Sequence, residues 1–126
     1  PSRSQEKFCI HMPHGDKVFR YAVDSAMSAI RGLTRDTPLE DIAYFVFHQS
    51  NGRVLDRVQK NLGIPEEKVV RTIETLGNTD AASIGITFDL LRKGRLEKCA
   101  PPKEGDNILM IGYGAGLKCT GVLYTV

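Results

Sequence analysis

The chain has 126 residues, enough for one compact domain and too few for two of ordinary size. Hydrophobic residues make up 41% and charged residues 25%, the balance of a globular chain rather than a disordered one. A formal net charge of +2 is too small to argue for a nucleic-acid surface, so any basic contact with a partner must be local.

Residues 1–6 are polar and expected to fray, and 7–12 alternate weakly enough for a short strand. A turn at 14–16 leads into a helix from Lys17 to about Arg31, with Asp16 as its cap and Gly32 as its stop. Its apolar residues Phe19, Val23, Ala26 and Ile30 recur in steps of three and four, along one face. Thr37-Pro38-Leu39-Glu40 is a helix-start signal, with Thr as cap and Pro at the first helical position. The unbroken run from Ala43 to Phe47 reads as a strand buried on both faces. A helix follows from about Asn51 to Leu62, stopped by Gly63, and then a short strand from Lys68 to Ile73. Gly77 to Asp80 is a turn opening a helix from about Ala81 to Lys93. Small residues there (Ala81, Ala82, Ser83, Gly85) would let its first turns lie close to a neighbour. A polar loop over 95–106 precedes two closing strands, Asn107–Tyr113 and Leu117–Val126, read as an antiparallel pair. Helices alternating with buried strands make the class α/β with a mixed sheet, free of internal repeats.

Cys9, Cys99 and Cys119 are odd in number and lack metal-ligand spacing, which fits a reducing cytosol better than a disulfide scaffold. No apolar run approaches the ~18 residues of a membrane span, and no signal-peptide pattern opens the chain. A cytoplasmic location without membrane contact is therefore expected. His11 and His14 lie in a loop without carboxylate or cysteine partners, so no metal site is expected. Because the first residue is Pro1 rather than Met, a processed chain or part of a longer one is expected.

Three polar clusters fall at junctions between elements: His48-Gln49-Ser50-Asn51, Gly77-Asn78-Thr79 and Gly114-Ala115-Gly116. In α/β sheets ligands bind where loops converge at strand ends. A His and an Asn at two such ends can both donate hydrogen bonds to a developing oxyanion, and glycine-rich backbone can approach a substrate closely. From spacing alone, a satisfied structural histidine and an ordinary hairpin turn would look the same. Neither glycine-rich stretch fits a dinucleotide fingerprint or a phosphate loop.

The motifs together carry more. Phe47-His48-Gln49-Ser50-Asn51-Gly52-Arg53 resembles the histidine motif of β-ketoacyl-acyl carrier protein synthase III, a strand ending in PHQAN followed by an arginine. Gly77-Asn78-Thr79-Asp80-Ala81-Ala82-Ser83 resembles its GNTSAAS motif, and Tyr113-Gly114-Ala115-Gly116-Leu117 its C-terminal glycine motif. Gly15-Asp16-Lys17-Val18-Phe19 fits the glycine and helix that open this region. All four stand in the family's order, over roughly Phe8 to Val126.

The resemblance implies the C-terminal half of a thiolase-like fold over residues 1–126, usually part of a homodimer. It also implies a decarboxylating Claisen condensation of an acyl-CoA starter with malonyl-acyl carrier protein, which are substrates rather than cofactors. His48 and Asn78 would stabilise the malonyl thioester enolate, and the Ala115 N–H would serve the oxyanion hole of the acyl-cysteine step. Gly15 and Asn51 match positions that hold the pantetheine arm. Arg53 matches a position implicated in carrier-protein docking. Arg53, Arg57 and Lys60 recur at i, i+4 and i+7, a basic stripe for an acidic carrier or CoA phosphates, although an ordinary solvated helix face has the same pattern.

The departures matter equally. The family's nucleophilic cysteine belongs to an N-terminal half that this chain lacks, and none of the three cysteines matches it. The chain alone is therefore expected to be inactive, with the N-terminal half supplied in the same parent chain or by a separate subunit. Cys119 reads as small packing filler on a strand. Asp80 stands where Ser is usual, and Ala115 where Gly is common. A non-catalytic partner subunit, or a relative transferring acyl groups to another acceptor, remains an alternative at this stage.

Overall fold

The computed structural model describes residues 14–126. The expected strand over 7–12, and with it Cys9 and His11, lies outside the described residues. Helix α1 (Gly15–Leu33) buries Ala22, Val23, Ala26 and Ile30, the stripe its periodicity requires. Its ends differ from expectation. The helix already begins at Gly15, so Asp16 lies within its first turn and pairs with Arg20 at 2.9 Å instead of capping. Gly32 stays helical, and Thr34 closes the helix by donating both its N–H and its hydroxyl to the Ile30 carbonyl. The Thr37–Glu40 signal yields only one tight turn, Leu39–Asp41, preceded by an extended Pro38 and without a side-chain cap.

Strand β1 (Ile42–Phe47) is covered on both faces. Phe45 and Phe47 point to the side packed by α1 and by α2 (Gly52–Leu62), while Val46 points to the opposite side. Helix α2 is capped by the Asn51 side chain, which accepts the Arg53 N–H at 2.9 Å, and is ended by Gly63 at φ 65°. Each fully buried Phe or Leu of this layer contributes about 1.5–3 kcal/mol over leaving it in water.

The expected strand over 68–73 shrinks to β2 (Val69–Val70), and its end becomes a single helical turn, α3 (Ile73–Leu76). The cause is the buried Gln49 side chain. Its Oε1 accepts the N–H groups of Thr72 and Ile73, at 2.9 and 3.1 Å, which a longer strand would have offered to a ladder. After a tight turn over Asp80–Ala82, helix α4 runs over Ser83–Arg92. Of the small residues expected to pack closely there, only Ser83 is buried; Ala81, Ala82 and Gly85 face solvent.

Strands β3 (Asn107–Gly114) and β4 (Lys118–Thr125) form the expected antiparallel pair across the turn at 115–117. The sheet order is β2-β1-β3-β4, with β1 parallel to both neighbours and β4 antiparallel, so the sheet is mixed. One face, with Leu109 and Ile111, meets α1 and α2; the other, with Val70 and Ile108, meets Leu91 of α4 and Cys99.

Candidate functional site

The parallel strands β1, β2 and β3 all end at the same edge of the sheet. From β1 the chain moves to β2 on one side and later to β3 on the other, so the gap beyond β1 and β3 is a switch point where flanking loops diverge. His48 stands at that point. Its N–H continues the ladder by donating to the Ile111 carbonyl at 2.9 Å, which fixes its backbone on β3.

Three side chains meet the His48 region. Ser83, the first residue of α4, has its Oγ 2.6 Å from His48 Nδ1 and also accepts the Gln49 N–H at 3.2 Å. Nδ1 is the only acceptor recorded for the Ser83 hydroxyl proton among the described residues, and a Ser83 O–H donated to Nδ1 leaves the imidazole hydrogen on Nε2. The Tyr113 ring stands edge-to-face with the imidazole, centroids 5.0 Å apart. The Tyr113 hydroxyl in turn hydrogen-bonds the Ser50 hydroxyl. Burial lowers the His48 pKa from 6.5, and the Asp80 carboxylate opposes that shift. Burial likewise raises the Tyr113 pKa, so the phenol keeps its proton at neutral pH.

Asn78 is exposed in the loop between α3 and α4, and its Oδ1 accepts the Asp80 N–H at 2.9 Å. That bond steadies Asp80 in the left-handed region, φ 49°, and leaves the Asn78 amide N–H groups as its outward donors. The site thus joins His48, Ser83, Tyr113 and Ser50 directly, with the Asn78–Asp80 loop close enough for the Asp80 charge to act on His48.

The other expected residues sit around this core. Ala115 opens the exposed turn at the end of β3. Gly15 opens α1, with open space where a Cβ would stand. Asn51 spends its carbonyl oxygen on the α2 cap, so only its amide N–H groups face outward. Arg53, Arg57 and Lys60 are exposed along α2, and no ion pair among the described residues engages them. Cys99 is buried, and burial raises its thiol pKa, the opposite of what a nucleophile needs. A broad hollow bordered by Asp56, Glu66, Arg71, Glu74 and Lys98 contains none of the predicted site residues.

Sequence reasoning assigned no role to Gln49, Ser50 or Tyr113 and valued Ser83 only for its size. Their hydroxyl and amide groups were visible, but the contacts span 15 to 63 residues along the chain in the cases of Thr72–Thr87 and Ser50–Tyr113. Local spacing carries no signal for such pairs.

The comparisons with known proteins agree with the motifs. The family profile described as 3-oxoacyl-[acyl-carrier-protein (ACP)] synthase III C terminal matches residues 34–126. The chain belongs to that family. A β-ketoacyl-[acyl-carrier-protein] synthase III from Hyphomonas neptunium is 42% identical over 113 residues, covering 87% of this chain and 33% of the relative. The crystal structure of the Aquifex aeolicus synthase III superposes with a TM-score of 0.81 at 33% identity, over 93% of this chain and 37% of that one. The priming β-ketosynthase of the R1128 polyketide pathway gives 0.71 at 36% identity, over 88% and 33%. The chain therefore has the α/β, thiolase-like architecture expected of it and spans about a third of the length of its relatives. Among the described residues no helix is long and apolar enough to cross a membrane.

Proposed function

We propose that this chain supplies the decarboxylating side of a condensing enzyme that joins an acyl-CoA starter to malonyl-acyl carrier protein. The observation that carries this reading is the His48 imidazole at a strand-end switch point, its pKa lowered by burial and its Nδ1 2.6 Å from Ser83 Oγ, a contact that turns Nε2 toward the substrate as the donor when Ser83 gives its proton to Nδ1. A thioester enolate needs such donors, fixed in advance and shielded from bulk water.

In this mechanism His48 Nε2–H and an Asn78 amide N–H both donate to the malonyl thioester oxygen. The bond from Cα to the carboxylate breaks, CO2 leaves, and the electron pair moves into the enolate. The enolate then attacks an acyl-cysteine thioester, and the cysteine thiolate departs from the tetrahedral intermediate. The resemblance implies that this cysteine belongs to the family's N-terminal half, because none of Cys9, Cys99 and Cys119 stands at a matching position. The Ala115 N–H would serve the acyl-cysteine oxyanion. Gly15 and the Asn51 amide would border the pantetheine arm, and Arg53, Arg57 and Lys60 would meet the acidic carrier. Exposed Ile86, Leu117, Val122 and Tyr124 suit a segment covered by the rest of a longer, dimeric enzyme. No cofactor or metal enters this scheme.

The test separates the two half-reactions in the full-length protein. His48→Ala and Asn78→Ala should each lower malonyl-carrier decarboxylation by roughly a hundredfold or more. Acylation of the protein by acyl-CoA, followed by intact mass, should survive both changes. Wild-type decarboxylation in either variant would overturn the reading. So would a full-length protein that takes no acyl group at all, which would favour a non-catalytic subunit.

A further inference from the structure

The Ser50–Tyr113 hydroxyl pair has no part in the chemistry above, yet it anchors the Tyr113 ring that meets the imidazole edge-to-face while Ser83 holds it at Nδ1. A histidine side chain has two free torsions. One hydrogen bond at Nδ1 fixes a direction but lets the ring swing about that contact. The Tyr113 ring, edge-to-face at 5.0 Å, blocks the swing. Tyr113 is itself anchored at both ends: by its backbone in β3 and by its hydroxyl on Ser50. Ser50 sits two residues beyond His48 and directly before the Asn51 cap of α2, so the bond ties the end of β3 to the chain leaving β1. Three contacts then join the same two strand ends: the His48 N–H on Ile111, the ring pair and the hydroxyl pair.

The pairing also accounts for a departure from the motif. Ser50 stands where the family's PHQAN pattern has Ala, and an alanine there would leave a half-buried phenol without a partner. We infer that Ser50 and Tyr113 are positioning residues that act as one unit, holding the His48 ring so that Nε2–H aims at the substrate oxygen. This rests on the proposed role of His48. The pair touches no substrate; it acts through the imidazole.

The experiment uses the full-length protein with Ser50→Ala, Tyr113→Phe, the double variant and Ser50→Thr. Ring 15N shifts of His48 at neutral pH report its tautomer, and steady-state decarboxylation of malonyl-carrier reports function. Each single variant is expected to move the 15N shifts toward a mixed tautomer population. Each should also lower kcat for decarboxylation several-fold while KM stays within twofold. The double variant should lose no more than either single one, because both remove the same bond. Ser50→Thr, which keeps a hydroxyl, should restore both readouts. Unchanged 15N shifts in both single variants, or losses that multiply in the double variant, would overturn the inference. If the wild-type protein decarboxylates nothing, the role of His48 falls, while the 15N arm still decides whether the pair holds the ring.

Discussion

Burial holds the His48 imidazole below its usual pKa of 6.5, and the Asp80 carboxylate works against it. The unfolded chain therefore binds a proton on this residue more readily than the folded chain does. Stability from His48 is fully present above pH 6.5 and is lost as the pH falls through the lowered folded value. Urea unfolding of the wild type and of His48→Gln at about pH 7.5 and about pH 5 checks this, because only the wild type carries the imidazole's share of the loss. A steeper loss in the variant would reverse the sign. Asp80 supplies a second check at the same residue. Asp80→Asn removes the one charge identified as raising the His48 pKa, so the NMR titration midpoint of His48 should move further down. An upward move would place the Asp80 charge elsewhere than at the imidazole.

Between elements, Gln49 does what no single strand or helix could. Its Nε2 donates to the carbonyls of Phe47 and Val70 at 2.8 and 3.2 Å, and its Oε1 takes the Thr72 and Ile73 N–H groups. One fully buried side chain thus finishes β1, shortens β2 and starts α3. Gln49→Ala should cost about 3 kcal/mol, since it strands several buried backbone groups at once, and the midpoint of chemical unfolding measures it. A loss of under about 1 kcal/mol would mean that water replaces the amide. The same residue marks where sequence reading stopped. The helices over 15–33 and 52–62 were legible because apolar residues at steps of three and four must share a face. The Val69–Val70 strand was overrun to Ile73 because the local pattern stays β-like, and the side chain that interrupts it lies more than twenty residues upstream. His48 and Asn78 were legible through their motifs. The Ser83 contact with His48 Nδ1 was not, being 35 residues distant in sequence.

Across the whole molecule the sheet separates two apolar layers, and α1 binds the β3–β4 side of the larger one. Alternation along β4 turns Cys119, Gly121 and Leu123 inward and leaves Val122 and Tyr124 exposed. Of the glycines, Gly121 leaves the least room for a Cβ. A Cβ placed there would lie 2.7 Å from Leu33 Cδ1 and 3.2 Å from the Met110 carbonyl oxygen, and would also press on Ile111 Cδ1. Gly121 lies in regular strand, so crowding rather than backbone conformation is what an alanine would feel. Gly121→Ala should destabilise the chain by about 1–3 kcal/mol, read from thermal or chemical unfolding. Leu33 is a flexible side chain at the end of α1, so the conflict should ease when it is shortened. Leu33→Ala opens a cavity when made alone, but the double variant should cost less than the sum of the two single ones. Additive losses would place the conflict on Ile111 and the Met110 carbonyl. α1 would then fit over β4 with room to spare, and the sheet itself would be the part that cannot yield.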